Sequence, residues 1–241
     1  MLNVSMKSQP DGETCGATCL HAVYHFHGLK PSLPSVIEGV ERSLSGGTLA
    51  PLLGNHALSQ GFDVVIYINN LNVFDPTWFV NGQGNPVVLY RKLEEQLAHK
   101  SDKDIQQVSK AYLKFLSNGG QVYFKSLDVQ VLKLYFDLKL PIICGLNATY
   151  LYRCAREVYS EDGESEFDDI KGTPCGHFVV LCGYDDRKKR VIVADPHREN
   201  NLSHDNYYKV SAHRIINAIM LGVSSNDANL TIIKPKGITD F

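Results

Sequence analysis

The stretch CGHFVVLCGYDDRKKRVIVADPH, residues 175–197, decides how we interpret the chain. Two apolar, β-branched runs flank the charged segment DDRKKR, which is the pattern of a β-hairpin. Residues equidistant from the turn of such a hairpin lie opposite each other, and His177 and Asp195 are equidistant from position 186. The pattern therefore predicts that His177 and Asp195 emerge side by side at one edge of a sheet. A carboxylate in that place fixes the imidazole in one tautomer, as a catalytic base requires.

The residues next to this pair are predicted to line a substrate-binding cleft. Gly176 leaves an uncrowded approach to His177, and Cys175 lies two residues before His177. Pro196 ends the second strand, because proline has no N–H to donate to the ladder. We therefore assign Gly176 and Cys175 to substrate binding.

The stretch QPDGETCGATC, residues 9–19, supplies a candidate nucleophile for that base. Helical spacing of apolar residues predicts a helix over 14–27 that Thr14 caps, which places Cys15 in its first turn. The positive end of the helix dipole and a neighbouring imidazolium both favour the thiolate form of a cysteine. Cys15 is thus the predicted nucleophile and His177 its base.

Two further residues of this stretch are predicted to serve the reaction. Gly16 leaves room for a substrate carbonyl to approach, so we assign it to substrate binding. The backbone N–H of Cys15 points off the helix end and can donate to an oxyanion. Gln9 can fold back across the turn at Pro10–Gly12 and supply a second N–H from its side-chain amide.

The bulk composition is that of an ordinary globular protein. The chain has 241 residues, 44% of them hydrophobic, and a net charge of −2, which fits one domain over residues 1–241. The near-neutral charge argues against nucleic-acid binding and against a basic membrane-surface patch. No run approaches the ~20 apolar residues of a membrane span, and the N-terminus has no apolar secretory segment. We expect a cytoplasmic protein whose six cysteines are reduced.

Helical and strand patterns follow one another in an order typical of the α+β class. Helices are expected at 35–43, 49–60 and 211–221, and strands at 63–68, 121–124 and 141–146. Residues 70–120 are predicted to form a helical insertion or cap within the domain. Residues 149–158 fit either a strand or a helix. The acidic loop 160–169 leads into the cleft, where it could select basic substrates.

One histidine pair raises the question of a metal site. His21 and His25 share a helix face at the i, i+4 spacing that zinc sites use. No further ligand pattern completes the pair, and His25 is near the helix end, where a cation is favoured without any metal. We predict no metal and no organic cofactor.

The motifs resemble those of a known family. The spacing Q-x5-C-G-A-x-C at the start, with G-H-F-V-V-L-x-G-Y and V-A-D-P near the end, is similar to the bacteriocin-processing (double-glycine leader) cysteine peptidases, family thirty-nine of the papain-like clan. The resemblance covers roughly 9–68 and 128–200. It implies a papain-like α+β fold, with an N-terminal helical part and an antiparallel sheet. Domains of that family usually precede the membrane and ATPase parts of an exporter; here we expect a stand-alone member without transporter parts.

The resemblance also implies a role for each matching residue. Cys15 would be the nucleophile, His177 the base, Asp195 its orienting carboxylate and Gln9 the oxyanion donor. The implied activity is hydrolysis of an amide or peptide bond in a peptide or amide substrate, whose identity the motifs do not give.

Three alternatives remain open. The same triad could pass the acyl group to an amine, as an acyl or peptidyl transferase of the phytochelatin synthase-like type does. The domain could be a catalytically silent module that binds a peptide. A redox protein that uses Cys15 and Cys175 would form a disulfide under mild oxidation. The sequence carries no indication of the oligomeric state.

Overall fold

One large sheet with helices on both faces organises the protein, as seen in a computed structural model that describes residues 1–44, 46–159, 165–225 and 228–238. The helices of these residues are α1 (Cys15–Phe26), α2 (Leu33–Gly39), α3 (Ala50–Ser59), α4 (Pro86–Leu97), α5 (Lys103–Ser117), α6 (Val129–Asp137), α7 (Ala148–Tyr152) and α8 (Ala212–Leu221). The strands are β1 (Asp63–Ile68), β2 (Phe79–Val80), β3 (Gln83–Gly84), β4 (Gln121–Tyr123), β5 (Ile142–Asn147), β6 (Glu157–Tyr159), β7 (Ser165–Phe167), β8 (Gly176–Asp185), β9 (Arg190–Ala194), β10 (Tyr207–Ser211) and β11 (Asn229–Lys234).

Nine of these strands form the main sheet, in the order β10-β9-β8-β5-β11-β1-β4-β3-β2. Neighbouring strands are antiparallel, except for the parallel pair β1 and β4. Strands β6 and β7 pair with each other in a separate ribbon. The predicted α+β class, with N-terminal helices and an antiparallel sheet, is confirmed. A helix that carries the cysteine packs on the strand that carries the histidine, which is the papain-like arrangement expected from the resemblance.

Alternation along the central strands separates two hydrophobic cores. Phe178 and Val180 of β8 point into the core that contains α1, α3 and α5. Val179 and Leu181 point to the other face, where α6 and α8 complete a second core. Because β8 is buried on both faces, it is apolar along most of its length, as a central strand must be.

The helix that carries the candidate nucleophile is buried along most of its length. Its residues from Cys15 to Tyr24 are all buried, so this helix is an internal element and not an amphipathic surface helix. The predicted capping role of Thr14 is wrong. Thr14 occupies the N-cap position, but its side chain caps no backbone N–H and its hydroxyl donates to the carbonyl of Asp11 at 3.5 Å. The first N–H groups of α1 are therefore not satisfied by Thr14.

Several boundaries differ from the sequence prediction. Helix α2 begins at Leu33, because the Ser32 side chain accepts the N–H of Ser35 and caps it there. Residues 149–158 divide between the two predicted alternatives, since α7 ends at Tyr152 and β6 begins at Glu157. Arg153 adopts a left-handed conformation, with φ of 55°, at the end of α7.

The segment 70–120 contains two helices, as its amphipathic patterns predict. These are α4 and α5. The buried face of α5, with Tyr112 and Phe115, packs into the same core as α1 and α3. The short strands β2 and β3 of this segment extend the edge of the main sheet. Its origin as an insertion remains a prediction.

The β8–β9 hairpin forms as predicted, but its register differs. Val180 lies opposite Ala194, and the register shifts by one residue between Leu181 and Gly183. Extending this ladder places Asp195 across from Val179, so the prediction that Asp195 lies directly opposite His177 is wrong. The two residues are diagonal neighbours, a separation that long side chains still bridge.

Candidate active site

The side chains of His177 and Asp195 are joined by a hydrogen bond. Nε2 of His177 is 2.9 Å from Oδ1 of Asp195, and both side chains are buried. The predicted proximity of these two residues is thus confirmed, despite the shifted register. Because Nε2 is engaged with the carboxylate, Nδ1 is the ring nitrogen left for a substrate or a thiol.

The Asp195 carboxylate has three further donors. The N–H of His197 donates to Oδ1 at 2.8 Å. The hydroxyls of Tyr152 and Tyr208 donate to Oδ2 at 2.7 and 2.5 Å. Sequence reasoning missed both tyrosines. No local pattern marks them, because they come from α7 and β10 and meet Asp195 only in the folded chain.

The electrostatic setting of His177 favours its protonated form. Burial by itself lowers the pKa of His177, but the charge and hydrogen bond of Asp195 and the interaction with Cys15 outweigh it and raise the pKa to about 10. The pKa of Asp195 shifts in the opposite direction. Its burial raises the pKa of the carboxyl, while His177 and the two tyrosine hydroxyls hold that pKa below its ordinary value. At neutral pH the pair is therefore an imidazolium and a carboxylate.

Cys15 is the first residue of α1, the helix that packs on the strand of His177. Its side chain is buried at the helix start, and its interaction with His177 is one of the causes that raise the pKa of that histidine. The first N–H groups of a helix have no intrahelical acceptor, and the Thr14 side chain does not supply one here. The thiol of Cys15 and these N–H groups therefore lie at the same helix end, next to His177.

Gln9 is tied to the same region through its backbone. Its N–H donates to the carbonyl of Pro196 at 2.9 Å, directly after Asp195. The side-chain Nε2 of Gln9 donates to the carbonyl of Asp11 at 2.7 Å, and Oε1 is buried without a hydrogen-bond partner. An amide nitrogen carries two hydrogens, so the second N–H of Nε2 is available to another acceptor.

The residues assigned to substrate binding lie around this group in different ways. Gly16 is buried, and a Cβ there would lie 2.4 Å from Cγ2 of Thr48, so its small size serves the packing of α1. Gly176 begins β8, immediately before His177. The hydroxyl of Tyr159 donates to Sγ of Cys175 at 3.0 Å. A contact of these three residues with substrate stays a prediction.

Cys19 and the histidine pair lie outside the group formed by Cys15, His177 and Asp195. Cys19 is fully buried and its thiol donates to the carbonyl of Phe178 at 3.3 Å. The rings of His21 and His25 lie 4.2 Å apart. Burial, followed by the charge of His25, lowers the pKa of His21 to about 4, so His21 is neutral at physiological pH. The described part of the chain contains no cluster of three or more His, Cys, Asp or Glu that could hold a metal ion.

Part of the acidic loop predicted to select basic substrates, residues 160–164, lies outside the described residues. In the rest of the loop, Asp168 accepts the N–H groups of Ile170 and Lys171, both at 2.8 Å, and thereby shapes its own turn. Selection of basic substrates by this loop stays a prediction.

In the four described ranges, no helix has the length and apolarity needed to cross a membrane.

The chain is similar to one described protein family and to two solved structures. A family model described as the Peptidase C39-like family matches residues 1–217, a range that includes the four residues of the candidate site. A proposed C39-like peptidase from Bacillus anthracis aligns at 14% identity and a TM-score of 0.47, over 97% of this chain and 96% of that one. Xylellain, a cysteine protease from Xylella fastidiosa, aligns at 12% identity and a TM-score of 0.35, over 96% and 82%. No curated protein sequence is significantly similar to the chain.

Proposed function

The chain belongs to the Peptidase C39-like family, and from that premise we propose that it is a cysteine peptidase-like hydrolase of amide or peptide bonds. Cys15 is its nucleophile, His177 its general acid and base, and Asp195 the residue that orients His177. The observation that carries the proposal is the buried, hydrogen-bonded His177–Asp195 pair, with Cys15 as the first residue of the helix that packs on the His177 strand.

The first half-reaction forms an acyl enzyme. With His177 protonated, Cys15 reacts as a thiolate and its sulfur attacks the substrate carbonyl carbon. The carbonyl oxygen becomes an oxyanion that accepts hydrogen bonds from the Cys15 N–H and the Gln9 amide. His177 then gives its Nδ1 proton to the nitrogen of the leaving amine as the C–N bond breaks, which leaves a thioester on Cys15 and a neutral imidazole.

The second half-reaction releases the acid and restores the enzyme. Neutral His177 accepts a proton from water as the water oxygen attacks the thioester carbon. The C–S bond then breaks, the carboxylic acid leaves, and Cys15 and His177 return to the thiolate and imidazolium. Asp195 keeps its charge throughout, because its hydrogen bond to Nε2 holds the ring while Nδ1 gains and loses the proton.

The proposal is tested on a peptide mixture. The protein is incubated with a proteome-derived peptide library, and new N-termini are identified by labelling and mass spectrometry. We expect new termini with the untreated protein and none after its thiols are blocked with iodoacetamide. Cleavage that persists after blocking, or the absence of cleavage with a thiol that reacts normally, would contradict the hydrolase. Products in which an added amine replaces water would assign the transferase alternative instead.

Gln9→Ala is predicted to slow hydrolysis without altering the thiol. Loss of one oxyanion donor costs about 10²–10³-fold in turnover, because the donor acts on charge that develops only in the transition state. Alkylation of Cys15 by iodoacetamide forms no oxyanion, so we expect its rate to be unchanged. The matched control is Gln60→Ala, at the exposed C-terminal end of α3. Equal loss of hydrolysis and alkylation in Gln9→Ala would show that Gln9 supports the fold around Cys15 instead.

A further inference from the structure

The Asp195 carboxylate accepts more hydrogen bonds than the single one that orients His177. It has no solvent exposure, and each of its two oxygens accepts two hydrogen bonds. Oδ1 accepts from His177 and from the N–H of His197, while Oδ2 accepts from two tyrosine hydroxyls. A carboxylate has about four lone-pair positions, so all of them are filled. Only one of the four is needed to orient an imidazole.

The two phenols come from separate elements that converge on Oδ2. Tyr152 is the last residue of α7, and its ring centroid lies 6.0 Å from that of His177. Tyr208 lies in β10, paired with Val193 of β9, and is buried. Because a helix end and a strand each place one hydroxyl on the same oxygen, the geometry is built by the fold and not by a single flexible loop.

The backbone of Asp195 is fixed independently of these side chains. Its N–H donates to the carbonyl of Asn206 at 2.8 Å, and its carbonyl accepts from Nδ2 of Asn206 at 2.6 Å. The position of the Asp195 main chain therefore does not depend on the tyrosines. The tyrosines determine the rotation of the carboxylate and the stability of its charge.

We propose that Tyr152 and Tyr208 are positioning residues that keep the Asp195 carboxylate ionised and turned toward His177. This proposal rests on the proposed function, since it assigns how the imidazolium partner of Cys15 is maintained. A buried carboxylate without sufficient donors takes up a proton, because burial disfavours its charged form. Two phenols on Oδ2 offset that cost, so Oδ1 remains a charged partner for Nε2 of His177.

The pKa shifts of Tyr152, Tyr208 and Asp195 have the directions that this positioning role requires. Burial, and then the charge of Asp195, raise the pKa of Tyr152 and of Tyr208 well above the ordinary value, so both phenols stay protonated donors. Their hydrogen bonds in turn lower the pKa of Asp195. The titratable groups that interact with Asp195 come from α1, α7, β8, β10 and the segment after β9. They are Cys19, Tyr152, His177, Tyr208 and His197.

The consequence is measurable at acid pH. When Asp195 takes up a proton, His177 loses its charged partner and Cys15 loses its reactive form. We call the pH below which Cys15 stops reacting with iodoacetamide the acid limit. Removing the phenol donors raises the pKa of Asp195, so this acid limit moves to higher pH. The free energy of a hydrogen bond to a charged group corresponds to a pKa shift of about one to two units, so each phenol should shift the acid limit by about that amount.

The experiment measures the rate of Cys15 alkylation by iodoacetamide across acid and neutral pH, with the modified cysteine identified by mass spectrometry. The proteins are the wild type, Tyr152→Phe, Tyr208→Phe and the double variant. We expect a shift of the acid limit in each single variant and a larger one in the double variant. Tyr24→Phe, which removes a buried phenol bonded to His56, is the matched control and should leave the limit unchanged.

The outcomes separate the two proposals. An unchanged acid limit in folded Tyr152→Phe and Tyr208→Phe would overturn the positioning role, even if thermal stability falls. If the double variant does not fold, the single variants decide, because each is expected to shift the limit by itself. A wild-type Cys15 without elevated reactivity would contradict the proposed function itself, whatever the tyrosine variants do.

Discussion

Cys15→Ala is expected to abolish hydrolysis, with a fall in turnover on the order of 10⁶-fold, the scale seen when a catalytic nucleophile is removed from a triad. The reason is that the proposed mechanism forms the acyl enzyme on the Cys15 sulfur. Cys19 is the next cysteine along α1, but it is fully buried, and burial raises the pKa of its thiol well above the ordinary value. The measurement is the rate of peptide cleavage by the purified variant.

The control for this prediction is a cysteine outside the site. Cys154 lies between α7 and β6 and is partly exposed. Cys154→Ala should keep the wild-type rate, which would exclude a general effect of cysteine removal. Thermal unfolding shows whether Cys15→Ala remains folded. Residual cleavage near the wild-type rate in a folded Cys15→Ala protein would assign the activity to another group.

Asp195→Asn is expected to give the second-largest loss. In a comparable triad, replacing the orienting aspartate by asparagine lowers turnover about 10⁴-fold, because the amide favours the wrong imidazole tautomer. Here the substitution also removes the charge that stabilises the His177 imidazolium. The measurement is the cleavage rate together with the pH dependence of Cys15 alkylation. Asp104→Asn, in the exposed first turn of α5, is the matched control.

The same variant has a stability signature with a defined sign. The pKa of His177 is raised from 6.5 to about 10 in the folded protein. A raised pKa contributes stability that is complete below pH 6.5 and is lost as the pH rises toward about 10. The wild type should therefore lose unfolding free energy across this range, measured by urea denaturation. The loss should be much smaller in Asp195→Asn, and an equal loss in both proteins would refute the ion pair.

The sequence predicted the site better than the details that support it. The proximity of His177 and Asp195 followed from two apolar runs around a charged turn, a pattern that depends only on local residues. Their register did not follow, because the shift between Leu181 and Gly183 leaves the apolar pattern unchanged. Directly opposite and diagonal positions both bring the side chains of His177 and Asp195 together. The error in register therefore did not affect the prediction that these two side chains are close.

The contacts that the sequence did not reveal depend on distant parts of the chain. Tyr152 and Tyr208 reach Asp195 from α7 and β10, and nothing local distinguishes them from other tyrosines. The prediction that Thr14 caps α1 was wrong for a different reason. It has the right side chain at the right position, yet its hydroxyl bonds to Asp11 in the preceding turn, so residue type alone could not predict the cap.

The central claim is that Cys15 and His177 act as a thiolate–imidazolium pair. The most direct test is the rate of Cys15 alkylation by iodoacetamide as a function of pH, in the wild type and in His177→Ala. We predict that Cys15 reacts far faster than the other five cysteines near neutral pH, and that this advantage disappears in His177→Ala. A Cys15 that reacts like the other thiols, with a rate that does not depend on His177, would contradict the account.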